Sequence, residues 1–503
     1  MSFLSPDDRL DTKRIRPGLR LLAIDHVFSQ SMAVLASGAF MVGLVLALGG
    51  DNKTIGLIAA IGPIAQVIQV PAIFLVQSAR RRRAITVLGA WTGRSVFFFI
   101  ALIPWILPPS AHIPALLLAV ATHCVCGSIS GCAYGSWVRD VIPDRVMGRY
   151  MGRRLAWAVG VGAIVSLVAG TLLGMDWTQQ TLGPTLPYSL VFAAAGLFGV
   201  IGTAQLTRVP EPPLKSSERV NPFALIAGPF RHRRFRKVLG FLGSWAFAQN
   251  LAAPFFVVYM LSRMGLSLGV VVALTVLTQL VNVALFPVWG ALADRFSNKA
   301  VMGAAGLVFV TSFPLWPLMM LNDQFYWATW PLLIGVHVIM GVATAGVALA
   351  MGNLALKAAP KGEATAYLAT NALVTGIAAS ISPILAGVIG DFFQGRSLTV
   401  DMTWTQPTLP EGFNIPAFDI AGLDFLFIIA FVVGLIALQA LGPIEERGEV
   451  DEKVVLTELR HALRKSVFSL AGPAGVSRLV AIPTGKALST ARRLNKMAKA
   501  DAE

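Results

Sequence analysis

Twelve long, predominantly apolar runs recur along the chain, at roughly 21–47, 55–77, 85–107, 114–138, 155–175, 186–206, 238–261, 269–291, 301–321, 331–353, 364–390 and 423–442. An α-helix rises about 1.5 Å per residue, so about twenty such residues cross the hydrocarbon core of a bilayer. Inside that core the backbone must satisfy its own hydrogen bonds, which a helix does. The expected fold is therefore all-α: a polytopic membrane protein with twelve transmembrane helices. Composition excludes the alternatives. Of 503 residues, 55% are hydrophobic and 13% charged, too few charges to coat a soluble globule and too much apolar surface for a disordered chain. The first run is longer than the apolar core of a cleavable signal peptide and reads as a span.

The charges give an orientation. The chain has 41 Lys+Arg against 26 Asp+Glu, a net charge of +15. With the N-terminus inside, the outer loops hold only Lys53, Arg263 and Arg396, and Arg94 lies within a span. The remaining basic residues fall on the inner side, including Arg80–Arg83 in one short loop and Arg139, Arg145, Arg149, Arg153 and Arg154 around another. The positive-inside rule then places both termini in the cytoplasm of a bacterial-type inner membrane, and it explains the net charge without a nucleic-acid partner. Cys124, Cys126 and Cys132 lie in one apolar run without metal-ligand spacing, so neither a metal nor a cofactor is expected. Gly485-Lys486 lacks the flanking residues of a phosphate-binding loop. No soluble catalytic constellation appears, and the chain is not expected to be an enzyme.

A shift of 217 residues superimposes the two halves. Pro143 falls on Pro360, Tyr150 on Tyr367, Ala169-Gly170 on Ala386-Gly387, Leu75 on Leu292 and Arg82 on Lys299. One offset across separate regions points to duplication. The expected organisation is a cytoplasmic segment (1–20), a six-helix half (21–206), a basic linker (207–237), a second six-helix half (238–443) and a tail (444–503). In the tail, Val455, Leu459, Leu463 and Val467 recur every four residues beside Arg460, Arg464 and Lys465. That pattern fits an amphipathic helix on an anionic inner leaflet or a disordered segment with nascent helix.

After the eighth run the chain reads Gly290-Ala-Leu-Ala-Asp294-Arg295-Phe-Ser-Asn-Lys299. This resembles the loop signature of the major facilitator superfamily, and the twelve spans and the repeat fit that family over about 20–443. The resemblance implies a secondary active transporter that moves a small solute by alternating access and draws on a proton gradient. It also implies a gate at the inner ends of the helices. Gly290 would let two helices approach closely, and Asp294 would pair with Lys357 at the end of span 10. The first half departs from the signature, with Gln77 where Asp294 has its counterpart. There the polarity is expected to be swapped, with Asp140, the counterpart of Lys357, facing Arg80–Arg83.

Polar groups inside spans are the remaining candidates, because burying them in a bilayer is costly. Arg94 suits either gating or a structural ion pair. Asp25 and His26, about one turn into span 1, are expected to be hydrated near the inner surface. His123 and His337 occupy corresponding spans, 4 and 10, which line the central cavity in the superfamily. An imidazole there carries a proton or is simply hydrogen-bonded to a neighbouring helix. Gln249, Asn250, Gln279 and Asn282 suit solute binding or helix–helix contacts, and Trp245, Tyr259 and Tyr134 suit stacking on a solute or packing. Span 5 carries Gly160, Gly162, Gly170 and Gly174 but none of the prolines seen in many proton-coupled exporters of the superfamily. A small solute, the bilayer and protons are the expected partners, with the chain acting as a monomer. The scarcity of acids within the spans keeps one competing reading: a non-transporting protein of the same fold, such as an assembly factor, sensor or lipid-handling protein.

Overall fold

The computed structural model describes residues 12–142, 147–175, 181–212, 228–319, 326–359, 364–406 and 409–444, together with Glu446, Val455 and residues 457–459. Among the described residues, eleven helices are long and apolar enough to cross a membrane. They are span 1 (Ile15–Ala47), span 2 (Asn52–Ala79), span 3 (Arg82–Ile106), span 4 (Pro109–Val141), span 5 (Arg153–Leu173), span 6 (Leu186–Leu206), span 7 (Arg233–Arg263), span 8 (Leu268–Arg295), span 9 (Asn298–Leu318), span 10 (Thr329–Ala358) and span 11 (Tyr367–Phe393). A shorter apolar helix, Leu423–Gln439, takes the twelfth place.

Local sequence explains several boundaries. Span 2 begins at Asp51, whose side chain accepts a 2.8 Å bond from the Thr54 N–H. The Ser297 side chain caps span 9 in the same way. Each satisfies one of the N–H groups that a helix start leaves unpaired. Span 1 is two helices, Thr12–Leu35 and Gly38–Ala47, broken where Gly38 takes φ +54°. Glycine adopts that left-handed geometry without steric cost. The first helix starts at Thr12, well before the apolar run, and so carries Arg16 and Arg20 as part of the helix. Starts at Asn52, Arg82, Pro109 and Met147 recur at Leu268, Asn298, Tyr326 and Ala364, as the sequence offset requires.

The two ends of the bundle differ. Both described termini lie at one end, here called the terminal face. At the opposite face, glycines bring the two halves into contact. A Cβ on Gly56 of span 2 would stand 2.2 Å from the Pro383 carbonyl oxygen of span 11, and one on Gly387 would stand 2.6 Å from that of Asn52. Gly170 and Gly174 of span 5 meet Val272 and Gly269 of span 8 at 2.8 and 3.0 Å on the same measure. The span 5 glycines thus form a seam between halves. Lys53 closes the opposite face by donating its N–H to Asp391 across 3.1 Å.

Two segments depart from the sequence reading. The expected loop before the last helix is an antiparallel hairpin, Ser397–Gln406 paired with Leu409–Ala421. In the tail, Val455 and Leu459 are buried in the protein core and not laid on a lipid surface. Leu463 and Val467 lie outside the described residues, as does linker 213–227.

Candidate functional site

Spans 3 and 4 pack closely because small residues face each other. A Cβ on Gly93 would come within 2.9 Å of Cys126. This approach sets the His123 Nδ1 2.8 Å from the Gly93 carbonyl oxygen. Span 6 makes room in a similar way. Cβ atoms on Gly199 and Gly202 would lie 2.8 Å from the Arg94 Cβ and 3.1 Å from the Asp25 carboxylate.

Into that room fits an ion pair. Arg94 Nη1 donates to Asp25 Oδ1 at 3.0 Å, to the Gly199 carbonyl at 3.2 Å and to Thr203 Oγ1 at 3.1 Å. Ser29 Oγ adds a 3.1 Å bond to the same carboxylate oxygen. Asp25 is 2% exposed, which corrects the expectation of a hydrated group near the surface. The helix begins at Thr12, so Asp25 sits several turns deep and faces spans 3 and 6. Its pairing with Arg94 was not legible from the sequence; the Gly199-x-x-Gly202-Thr203 stripe of span 6 was the available signal.

This pair lines a polar chamber of about 270 Å³ within the first half, together with His26, His123, Tyr134 and Arg154. Arg154 donates to the Tyr134 hydroxyl. Beside it lies an apolar chamber of about 400 Å³, bounded by spans 1, 2, 3, 4 and 7, with Met41, Ile55, Phe97 and Val257 among its walls. Met32 and His123 line both chambers and form their common border. The break in span 1 at Ser37 and Gly38 opens onto the apolar chamber.

The other polar candidates separate into different places. His337 is buried, with Nδ1 2.9 Å from the Leu333 carbonyl and its ring against Trp316, outside both chambers. Gln249 accepts a hydrogen bond from Trp245 at 3.1 Å. Asn250 donates to its own helix at Ala246, and Asn282 ties span 8 to Thr344 of span 10 at 2.9 Å. Gln279 lines a smaller gap among spans 1, 5 and 8. Trp245 and Tyr259 are core residues, so of the three aromatic candidates Tyr134 alone faces a chamber.

A second constellation lies at the terminal face and repeats in both halves. Arg82 Nη1 contacts Asp140 at 2.6 Å, and the Arg82 N–H donates to Glu211 at 2.6 Å. In the second half the Lys299 N–H donates to Glu446 at 2.8 Å, and Lys357 Nζ lies 3.2 Å from that same carboxylate. In the first half the acid therefore stands on span 4, with Arg82 as the partner of Asp140. Arg80 is exposed at the end of span 2, where the helix terminates with φ +52°.

The expected Asp294–Lys357 pair does not form. Lys357 pairs with Glu446 because the chain leaving the last helix turns back beneath spans 9 and 10. Asp294 is exposed and makes no hydrogen bond or ion pair among the described residues. Arg295 pairs with Glu458 at 3.2 Å, and Lys299 Nζ also reaches the Gly442 carbonyl. Nor is Gly290 a close-contact residue, since a Cβ there would meet Leu349 at an ordinary 3.7 Å. Gly341 and Gly346 of span 10 serve that purpose, against the Thr278 carbonyl and Trp289. The acids that the sequence analysis missed, Glu211 and Glu446, each follow a proline just past the end of a half, Pro210 and Pro443.

Chemically, Glu211 and Glu446 are in different states. Burial drives the Glu211 carboxyl above the usual range against the N–H bonds of Arg82 and Arg83. Burial acts the same way on Glu446, but hydrogen bonds from Asn298, the Lys299 N–H and Lys357 outweigh it and hold that carboxyl below the usual range.

The architecture is a bundle of long apolar helices, with the polar chamber inside the first half and the apolar chamber between that half and span 7. Residues 246–482 match the family model described as Major Facilitator Superfamily. The solved nucleoside transporter NupG (a mutant form) superimposes with a TM-score of 0.62 at 13% identity, over 86% of this chain and 100% of its own. A bacterial homologue of the human lysosomal transporter Spinster, inward-facing and unoccupied, gives 0.62 at 14% identity, over 86% and 97%. A D-xylose–proton symporter gives 0.58 at 13% identity, over 88% and 99%. No curated protein sequence matches the chain. The second half of the chain thus matches the Major Facilitator Superfamily model, and the whole fold is shared with these solved transporters; its long apolar helices are those of an integral membrane protein.

Proposed function

We propose that the protein carries a small solute across the bacterial inner membrane by proton-coupled alternating access, as a monomer with both termini cytoplasmic. The observation that supports this most is the pair of chambers that meet at Met32 and His123, the apolar one reaching from the first half to span 7, beside halves that approach each other through glycines at the opposite face. Carriers of this kind bind at the repeat interface and rock one half against the other. In this reading residues 21–206 and 238–443 move as the two bodies, and the seam of spans 2 and 11 and of 5 and 8 opens as the terminal face closes. Asp294, without an ion pair among the described residues, then has the exposed Arg153 at the start of span 5 as its partner.

Coupling to protons is assigned to Asp25. A buried carboxylate held by one guanidinium can exchange its proton for the Arg94 contact as the chamber alternates between sides. Its burial removes the reason for preferring the histidines. The D-xylose–proton symporter, a solved protein of the same fold, lends this support.

Flux is the test. Protein in liposomes loaded with a pH-sensitive dye should give a solute-driven proton signal for at least one compound in a broad metabolite panel. Solute flux without a proton signal would overturn coupling. No flux of any compound would favour the non-transporting reading. Orientation is tested in intact cells, where an impermeant thiol reagent should label Asp401→Cys and spare Arg81→Cys.

A further inference from the structure

Three charged side chains meet in the polar chamber, and their charges do not cancel. Arg94 is matched by Asp25 at 3.0 Å. Arg154, 7% exposed, has no carboxylate partner among the described residues. Its direct contacts are neutral: the Tyr134 hydroxyl, the Tyr134 ring at 5.5 Å and the Met151 sulfur at 4.0 Å; the nearby carboxylate that feels its charge is Asp25, already held by Arg94. Its Nε is buried without a hydrogen-bond partner. The guanidinium cannot shed its proton to escape burial, and a desolvated charge without a counter-ion is strongly unfavourable. Counted over the described residues, Arg94 and Arg154 against Asp25, the chamber is one negative charge short.

Two further observations describe the missing anion. Arg154 also lines a groove of about 1160 Å³ between spans 1 and 5, together with Arg16, Arg20 and Arg153. All three are exposed. Cations along an entry route concentrate anions ahead of a buried site. On its other side the polar chamber borders the apolar one, whose walls are aliphatic and aromatic and whose volume, about 400 Å³, lies within the range of pockets that enclose small organic ligands.

We infer that the transported solute is an amphipathic organic monoanion, a carboxylate on an apolar body, with the carboxylate received by Arg154 and the body lodged in the apolar chamber. This rests on the transport reading above. The flat, forked guanidinium matches a carboxylate's two oxygens, and a single uncompensated charge selects a monoanion over a dianion. His123, on the border of the chambers, lies where the headgroup would join the body.

Equilibrium binding to purified full-length protein decides it. The probes are benzoate, 3-phenylpropionate and octanoate, set against benzyl alcohol, 3-phenylpropylamine and octanol. The carboxylates should bind and the alcohols and amine should not. Arg154→Gln should weaken carboxylate binding by about tenfold or more, as loss of a charge-assisted bond in a desolvated site implies. Arg154→Lys should retain part of it. If Arg154→Gln does not fold, Ala33→Phe, which fills the apolar chamber, gives a second reading: octanoate binding falls while benzoate binding persists. Alcohols or amines binding as well as carboxylates, or unchanged carboxylate binding in a folded Arg154→Gln protein, would overturn the inference. The two readings fail separately. Carboxylate binding with no flux of any solute sinks transport alone, whereas flux of a neutral or cationic solute without carboxylate binding sinks the anion site alone.

Discussion

Arg94 donates a hydrogen bond to Asp25 across 3.0 Å, joining span 3 to span 1 beneath two glycines of span 6. Both groups are largely buried, with side-chain exposures of 15% and 3%. Removing one partner of such a pair leaves an uncompensated charge, at a cost of about 3–5 kcal/mol, whereas replacing both together costs much less. Asp25→Asn should therefore lower the melting temperature markedly, and Asp25→Asn with Arg94→Met should recover most of it. Neither protein should keep the pH dependence of flux. Wild-type pH dependence in a folded Asp25→Asn protein would remove Asp25 from coupling.

His123 borders both chambers, while His337 packs against Trp316 in the core. His123→Gln should alter solute affinity or flux severalfold with little change in stability. His337→Gln should do the reverse, lowering stability and leaving the pH profile of flux as in the wild type. Melting curves and initial rates at two pH values separate the cases. Equal effects from both substitutions would show that the symmetry of the halves extends to their histidines.

The two terminal-face acids should respond to pH with opposite signs. Glu446 has its carboxyl held below the usual range. Its contribution is complete above the unfolded value of about 4.3 and is lost as pH falls through the lower folded value. Glu211 is raised by burial, so ionising it opposes folding, and acidification through its raised value relieves that. Glu446→Gln should thus cost about 1–2 kcal/mol at pH 7, the scale of hydrogen bonds to a charged group, and little below pH 4. Glu211→Gln should cost less at pH 7. Melting of each detergent-solubilised variant at both pH values tests the order.

The seam at the opposite face offers a conformational test. Lys53→Cys with Asp391→Cys, in a background lacking Cys124, Cys126 and Cys132, should cross-link on oxidation and stop exchange across the membrane. Gly56→Leu should lower the cross-linking yield, because its side chain would collide with the Pro383 carbonyl. Full exchange in the cross-linked protein would show that this seam does not open during transport.

What the sequence determined by itself was set by the bilayer. Span length, hydropathy and the sidedness of cations are written in contiguous residues, because lipid acts on each helix separately. Duplication was legible because equal offsets survive in Pro143 and Pro360 and in Arg82 and Lys299. The exchange of charge between Asp140 and Lys357 was legible for the same reason. Tertiary structure alone decided which charges meet. Arg94 and Asp25 are 69 residues apart, and Lys357 and Glu446 are 89. Their meeting depends on helix rotation and on how closely small residues let helices pack. The sequence pattern put Asp25 near water and Asp294 beside Lys357. The early start of the first helix buried the one, and the chain turning back after the last helix supplied Glu446 in place of the other. That Arg154 has no carboxylate of its own among the described residues emerged only from the fold, because a missing partner is a property of everything packed around a residue.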